Sequence, residues 1–288
     1  MLSCFGNYEI QKANATRVDS TRLQSRVGNE NNLLRDKEVL IIGCGAIGSR
    51  IALNLALNGI ENISLMDHDC FSIENITRHI CDINYVGWNK AKAVERHLKI
   101  RVPHINVIPY ETDAMETMNS TPDILKNNHI VISATGDKTF NLMLNESRIS
   151  PATLYSWTEL FGYASHAILT LTNSGGCLNC KLDQKLKFKF ECIVSPPEEL
   201  LRHEIGCGSV YLPFSSIDSN TAADYASRLA LSYLRGLITK STIWTFYGDL
   251  NEAVRQGLDL SAPPENNFKL VKSIMSRKLG CRICKELE

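Results

Sequence analysis

Four apolar residues, Val39–Ile42, run directly into a loop with Gly43, Gly45 and Gly48, and helical spacing follows over Ile47–Asn58. A short apolar run bounded by glycine predicts a buried strand, and the periodicity after it predicts a helix. Glycines at such a turn let the backbone approach a ligand closely, so that phosphate groups lie at the N-terminus of the helix. This stretch therefore predicts a strand–turn–helix unit of the kind that binds nucleotides.

An acidic residue follows the next predicted strand, Asn62–Met66, where a nucleotide-binding unit needs one. Asp67 is the expected acceptor for the ribose hydroxyls. The glycine loop alone indicates only that a nucleotide binds. Because Asp67 also lies at the expected position after the second strand, a glycine-rich turn that binds no ligand is disfavoured.

Strands and helices alternate along the first two thirds of the chain, which predicts right-handed crossovers and a parallel sheet. The predicted strands are Val39–Ile42, Asn62–Met66, Asn106–Pro109, Ile130–Ala134 and Ser165–Leu171, and the predicted helices are Ile47–Asn58, Asn89–Ile100, Met115–Lys126 and Thr221–Gly236. These elements predict the fold class α/β: a doubly wound, Rossmann-like, mostly parallel sheet with a crossover excursion. Residues 1–36 are expected to form a lead-in segment and residues 37–288 the main domain, with the excursion at about 181–215.

Composition excludes some partners. The 31 basic and 31 acidic side chains cancel, so no global field indicates nucleic acid or a membrane surface. No apolar run reaches the roughly 20 residues of a membrane span, and the polar N-terminus does not resemble a signal peptide. We expect a cytoplasmic protein.

Cations and carboxylates cluster in sequence just beyond the predicted ribose site. Asn75, Arg78 and Lys90 place an amide and two positive charges beside the phosphates. Hydride transfer does not need them, whereas nucleotidyl transfer does, because charge builds on phosphate oxygens in the transition state. Asp137 follows the strand Ile130–Ala134, at the edge where such sheets bind ligands, and is placed to hold Mg²⁺ on a triphosphate.

Ten cysteines include two Cys-x2-Cys pairs, Cys177 with Cys180 and Cys281 with Cys284. In a cytosolic chain such pairs predict metal ligands rather than disulfides. Four thiolates make a closed tetrahedral site, which is the geometry of structural zinc. We expect zinc to join the C-terminal region to the start of the excursion.

Five short motifs in this order resemble the ubiquitin-activating-enzyme superfamily, which includes adenylyltransferases of molybdopterin and thiamine synthesis. The similarity covers roughly residues 35–285. The matching motifs are Gly43-Cys44-Gly45-Ala46-Ile47-Gly48, Asp67-His68-Asp69, Asn75-Ile76-Thr77-Arg78, Val86-Gly87-Trp88-Asn89-Lys90 and Thr135-Gly136-Asp137.

The resemblance implies ATP- and Mg²⁺-dependent adenylation of the C-terminal glycine of a ubiquitin-like or sulfur-carrier protein. The implied nucleotide-binding residues are Gly43, Gly45, Ala46, Gly48, Asp67, Asp69, Asn75, Arg78, Lys90 and Asp137, of which Arg78, Lys90 and Asp137 are also implied in catalysis. Relatives often pair as dimers and take an arginine from the N-terminal segment of a partner; Arg17, Arg22 and Arg26 are candidates, and we expect a homodimer. His79 departs from the glutamine of the better-known members.

Relatives that pass the activated tail on use a cysteine beyond the first cysteine pair, so the resemblance also implies a thioester on such a cysteine and transfer to a conjugating enzyme. Cys207, between two glycines, is favoured over Cys192, and the absence of any such cysteine remains open. Adenylation for sulfur transfer to a carrier protein, and a non-catalytic partner subunit, are the alternatives. A plain oxidoreductase is disfavoured by Arg78 and Lys90.

Overall fold

The computed structural model describes residues 14–25, 33–194, 202–203, 210–211, 213–262 and 264–284. Its strands are β1 Glu38–Ile42, β2 Asn62–Met66, β3 Asn106–Tyr110, β4 Ile130–Ser133, β5 Ala152–Thr158, β6 Ala164–Leu171, β7 Arg202–His203, β8 Val210–Tyr211, β9 Thr242–Tyr247 and β10 Leu270–Ile274. Its helices are α1 Ser20–Gln24, α2 Ala46–Leu57, α3 Lys90–Arg101, α4 Ala114–Ser120, α5 Asp123–Lys126, α6 Lys138–Ser147, α7 Ser216–Leu234 and α8 Leu250–Arg255. Among these residues, every helix is too short or too polar to cross a lipid bilayer.

Eight strands form one sheet in the order β10-β9-β6-β5-β4-β1-β2-β3. The five strands from β5 to β3 are parallel, and β6, β9 and β10 are added antiparallel at the other side. The chain moves outward from β1 to β3 and then returns to place β4 beside β1. The crossovers therefore diverge at the carboxyl ends of β1 and β4, which is where open α/β sheets bind ligands. The doubly wound, mostly parallel fold is confirmed.

Alternation along the central strand separates two hydrophobic cores. Val39 and Ile41 pack with the residues of α2, α3 and α7, whereas Leu40 and Ile42 pack on the other face with Phe140 of α6. A strand buried on both faces has no polar side, which explains why β1 is a continuous apolar run.

One predicted helix is wrong in detail. The stretch Met115–Lys126 forms two helices, α4 and α5, because Pro122 interrupts it. Proline cannot donate an interior helical hydrogen bond, and it disfavours helical geometry at the residue before it. Thr121 accordingly takes an extended φ of −138°.

The predicted helix Thr221–Gly236 begins five residues earlier, at Ser216. Ser215 and Asp218 form a reciprocal capping box there, which satisfies free N–H groups of the first turn. The elements α6, α8, β5, β9 and β10 were not predicted.

Candidate functional site

A cavity of about 410 Å³ opens at the carboxyl ends of the parallel strands, beside the point between β1 and β4 where the crossovers diverge. Six of the predicted site residues line it: Gly43, Gly45, Asp67, Asp69, Lys90 and Asp137. It is called the nucleotide cavity below. Apolar side chains that were not predicted, such as Met66, Met115 and Phe140, cover part of its wall and offer a surface for a flat base.

Glycine is needed at the three positions of the loop for three different reasons. Gly43 has φ +86°, and a Cβ there would lie 2.9 Å from the backbone of Ala134 and Thr135. A Cβ on Gly48 would lie 1.8 Å from the carbonyl oxygen of Gly43, so Gly48 allows α2 to pack against the loop. A Cβ on Gly45 would meet nothing within 4 Å, and the open space beside it is the nucleotide cavity. Gly43 and Gly48 are needed for the turn itself, whereas Gly45 leaves room for a ligand.

Asp67 holds the glycine loop as well as lining the cavity. Its carboxylate accepts hydrogen bonds from the backbone N–H of Cys44, at 2.6 Å, and of Asp69, at 2.9 Å. Burial raises the pKa of Asp67, although both hydrogen bonds oppose the rise. Each carboxylate oxygen keeps a second lone pair, so the side chain can still accept from a ribose hydroxyl.

His79 holds the same loop from the other side. Its Nδ1 accepts from the backbone N–H of Cys81 at 3.0 Å, so the proton lies on Nε2, which donates to the carbonyl of Cys44 at 2.6 Å. Burial lowers the pKa of His79 to about 4, so the ring is neutral. A glutamine amide offers the same donor and acceptor, which explains in physical terms how histidine can replace it.

Lys90 enters the nucleotide cavity from the first turn of α3. Its Nζ donates to Asp69 at 2.8 Å, and its backbone N–H donates to the carbonyl of Asp69. Burial opposes ionisation of Asp69, but the hydrogen bond and charge of Lys90 outweigh it, so the pKa of Asp69 is below its ordinary value. Asp69 therefore orients the cation of this site.

Two carboxylates cap helices at the mouth of the nucleotide cavity. Asp137 accepts from the backbone N–H groups of Thr139 and Phe140 through one oxygen, Oδ1. Asp113, after β3, caps α4 in the same way and was not predicted. Its position could have been inferred, because an acidic residue within a few positions of the end of a parallel strand lies at the ligand-binding edge. The second oxygen of Asp137 suits a Mg²⁺ ion, which proteins bind through one or two carboxylates plus phosphates.

The remaining predicted residues lie outside the walls of the nucleotide cavity. Ala46 and Gly48 are in the first turn of α2, and the side-chain Oδ1 of Asn75 accepts from the backbone N–H and the hydroxyl of Ser72 in a single helical turn. The guanidinium of Arg78 lies over the ring of Phe214, 4.8 Å from its centroid.

A second cavity of about 550 Å³ adjoins the first, and Thr135 lines both. It is called the adjoining cavity below. Its walls come from β5, α6 and both described ends of the excursion, and they include Trp157, Glu159, Phe188, Ile193 and Phe214. No sequence pattern predicted this cavity.

Four cysteine sulfurs meet at the end of the molecule. Cys177 and Cys180 follow β6, Cys281 and Cys284 follow β10, and all four are buried. The measured Sγ separations are 3.6, 3.8 and 3.9 Å. Four sulfurs at about 2.3 Å from one zinc ion would lie about 3.8 Å apart, whereas a disulfide needs about 2.05 Å. The thiol of Cys177 donates a hydrogen bond to Cys180, which lowers the pKa of Cys180 below its ordinary value and raises that of Cys177.

Of the two candidate nucleophilic cysteines, Cys192 lies among the described residues. Cys192 is fully buried, and burial raises its pKa to about 12, which argues against a nucleophilic thiolate. Cys207 lies outside the described residues, as does Arg26. Arg17 pairs with Asp19 at 2.8 Å, and neither Arg17 nor Arg22 lines the nucleotide cavity of its own chain.

The fold and the glycine-loop site together define a nucleotide-binding α/β protein of the E1-like type. The ThiF family model matches residues 20–253, and the chain belongs to that family.

Two similar proteins are larger than this chain. The ATP-dependent ubiquitin transferase-like protein Cap2 of Pseudomonas aeruginosa is 27% identical over 237 residues, covering 80% of this chain and 42% of Cap2. The NEDD8-activating enzyme E1 catalytic subunit of Dictyostelium discoideum is 29% identical over 167 residues, covering 53% of this chain and 37% of the relative. The chain thus spans less than half the length of either relative.

The solved structures that resemble the chain show the same fold. MccB of Escherichia coli with ATP superposes with a TM-score of 0.64 and 19% identity, covering 91% of this chain and 72% of MccB.

Proposed function

We propose that this chain adenylates the C-terminal carboxylate of a ubiquitin-like protein that ends in glycine. The observation that carries the proposal is the shared wall at Thr135, where the nucleotide cavity meets a larger adjoining cavity. Two reactants held in neighbouring cavities can react as if in one molecule. The names of Cap2, a ubiquitin transferase-like protein, and of the NEDD8-activating enzyme agree with a ubiquitin-like substrate.

The proposed reaction forms one bond and breaks one. A carboxylate oxygen of the terminal glycine attacks the α-phosphorus of ATP, and the bond from that phosphorus to the bridging oxygen breaks. The products are an acyl-adenylate and pyrophosphate. Asp67 accepts from the ribose hydroxyls, while Lys90, held by Asp69, opposes the charge that builds on the phosphate oxygens.

Asp137 would hold Mg²⁺, which when bound neutralises the triphosphate. Asn75 and Arg78 complete the phosphate contacts if the loop that carries them closes over ATP. An arginine from the N-terminal segment of a second copy would add a further charge, which requires a homodimer. Sedimentation velocity measures that assembly directly.

Isotope exchange between pyrophosphate and ATP tests the proposal. Wild-type protein with Mg²⁺ and a ubiquitin-like protein ending in glycine should exchange label, whereas a non-catalytic subunit or an oxidoreductase would give none. Asp137→Asn is the matched variant, because asparagine caps a helix as aspartate does but lacks the charge. We expect exchange to fall about a hundredfold or more with an unchanged melting temperature. Exchange near the wild-type rate in this variant would remove Asp137 from the mechanism.

The fate of the acyl-adenylate separates thioester formation from sulfur transfer. We propose attack by Cys207, whose sulfur would form a thioester and release AMP. A reductant-sensitive adduct on a non-reducing gel should appear in wild type and in Cys192→Ala, and be lost in Cys207→Ala. If wild type forms the adenylate but no adduct, adenylation for sulfur transfer is the better proposal.

A further inference from the structure

A buried carboxylate lies beside the adjoining cavity without any part in the proposed phosphate chemistry. Glu159 follows β5 and is 7% exposed. Its Oε1 accepts from the backbone N–H of Cys192 at 2.7 Å and from Nε2 of His166 at 2.7 Å. Its Oε2 accepts from the backbone N–H of Ile193 at 2.8 Å. Three donors therefore hold one buried carboxylate.

The sheet holds this carboxylate in place through His166. The histidine lies on β6 and is fully buried. Its Nε2 faces Glu159, and its Nδ1 lies 3.1 Å from Oγ1 of Thr245 on β9. The rings of Trp157 and Phe190 pack on it with centroids 5.2 Å away. Two strands thus fix the position of Glu159.

The turn that begins at Glu159 also holds the other described end of the excursion. Phe161 donates its backbone N–H to the carbonyl of Pro213 at 2.8 Å. It does so with φ +50°, in the left-handed region that a bulky residue seldom adopts. Because a single turn contacts both Cys192–Ile193 and Pro213, it holds two separate parts of the excursion beside the adjoining cavity.

These contacts shape the adjoining cavity, because Glu159, Ile193, Val194 and Phe214 all line it. We propose that Glu159 is a positioning residue for the carboxylate substrate: it fixes the backbone of Cys192 and Ile193 as the wall against which the substrate tail lies. The inference rests on the proposed function, since it assigns the tail to this cavity. Only a carboxylate can make all these contacts, because an amide in place of Glu159 would turn its NH₂ donor toward the backbone N–H of Cys192 or Ile193.

The main test is Glu159→Gln, compared with Glu252→Gln, which removes a carboxylate that pairs with Arg255 at the surface. Loss of hydrogen bonds to a charged group should raise KM for a glycine-ended ubiquitin-like protein about tenfold or more. Binding of a fluorescent ATP analogue should change less than about twofold, because the cavity of Asp67 and Lys90 is untouched. Hydrogen exchange at the amides of Cys192 and Ile193 should quicken in Glu159→Gln and not in Glu252→Gln.

A milder variant keeps the test decisive if Glu159→Gln does not fold. Ser261 donates its hydroxyl to the backbone carbonyls of Glu191 and Cys192. Ser261→Ala loosens the same backbone without leaving a buried charge unpaired, so the same two effects should appear at smaller size.

Unchanged amide exchange in both variants would overturn the positioning role. Faster exchange with an unchanged KM would also overturn it, because Glu159 would then only stabilise the fold. If wild-type protein gives no pyrophosphate exchange with any glycine-ended substrate, the proposed function fails. The amide exchange would still report whether Glu159 holds this backbone.

Discussion

The two cavities are built in different ways. The nucleotide cavity lies at the carboxyl ends of parallel strands, and its groups are held at that edge of the sheet: Asp67 accepts from the N–H of Cys44, His79 donates to the carbonyl of Cys44, and Asp69 holds Lys90. The wall of the adjoining cavity depends instead on the irregular excursion, which Glu159 holds through Ile193 and Phe161 holds through Pro213.

This difference predicts which cavity tolerates substitutions in the residues that support it. A site at the edge of the sheet survives the loosening of an irregular segment, whereas a cavity whose wall is that segment fails when a support of the segment is removed. The two cavities should therefore respond separately to substitutions, even though Thr135 belongs to both.

Loss of zinc should have the largest effect, and it should fall on the adjoining cavity. Cys177 and Cys180 begin the segment that leads to Phe188 and Ile193 in its wall. We expect Cys284→Ser to lose one zinc ion per chain and several kcal/mol of stability, because metal binding to a structural site contributes directly to folding. Elemental analysis and thermal unfolding measure both.

The comparison becomes sharper if binding is measured on this variant in the temperature range where it stays folded. Binding of the ubiquitin-like substrate should be lost while binding of a fluorescent ATP analogue remains. Equal loss of both ligands would show that the two cavities are one cooperative unit. Well-folded wild-type protein without zinc would contradict the metal assignment itself.

Within the nucleotide cavity, two alanine substitutions should separate folding from binding. A Cβ on Gly48 would overlap the carbonyl of Gly43, so Gly48→Ala should lose about 3 kcal/mol or more of unfolding free energy. Gly45 has φ −77° and open space for a Cβ, so Gly45→Ala should fold normally. Its methyl group would enter the ligand space and should raise KM for ATP. Urea unfolding and ATP titration measure the pair.

Equal stability loss in both variants would show that Gly45 is needed for the turn rather than for the ligand. An unchanged KM for ATP in Gly45→Ala would place the phosphates elsewhere in the cavity. Neither substitution should alter the amide exchange of Cys192 and Ile193, since those groups belong to the adjoining cavity.

Sequence could predict which residues meet at the nucleotide cavity because they lie in short motifs, and their roles in binding stay a prediction. Gly43, Gly45, Asp67, Lys90 and Asp137 each follow a strand or start a helix, and parallel strands bring such positions to one edge. The paired cysteines were predictable for the same reason, since a two-residue spacing encodes half of a tetrahedral site.

The adjoining cavity could not be predicted in this way. Glu159 directly follows β5 and His166 lies seven residues later on β6, and nothing in their spacing shows that the backbone of Cys192 completes the group. The strand β5 was missed because it is buried on both sides, and its polar residues Thr153 and Ser156 break any apolar run. Burial of hydroxyl groups in a sheet depends on tertiary partners, which a local pattern does not contain.

Titration of His79 should have the smallest effect, and it tests the hydrogen bonds that hold the glycine loop. Burial lowers its pKa to about 4 in the folded protein, against 6.5 as the ordinary value. Between these values the unfolded chain binds a proton that the folded chain does not, so acid favours unfolding. The stability that neutral His79 contributes is complete above about pH 6.5 and is lost as pH falls toward 4. At pH 5 the loss should be about 2 kcal/mol relative to pH 7.5.

His79→Gln isolates this contribution, because the amide can donate to the carbonyl of Cys44 and accept from the N–H of Cys81 without titrating. Urea unfolding of both proteins at pH 7.5, 6 and 5 gives the difference, in which the other histidines cancel. The variant should lose about 2 kcal/mol less than wild type on going to pH 5, and should bind ATP as wild type does at pH 7.5. Parallel loss in both proteins would mean that His79 is not held neutral by burial. Loss of ATP binding at pH 7.5 would mean that the imidazole itself, rather than its two hydrogen bonds, shapes the glycine loop.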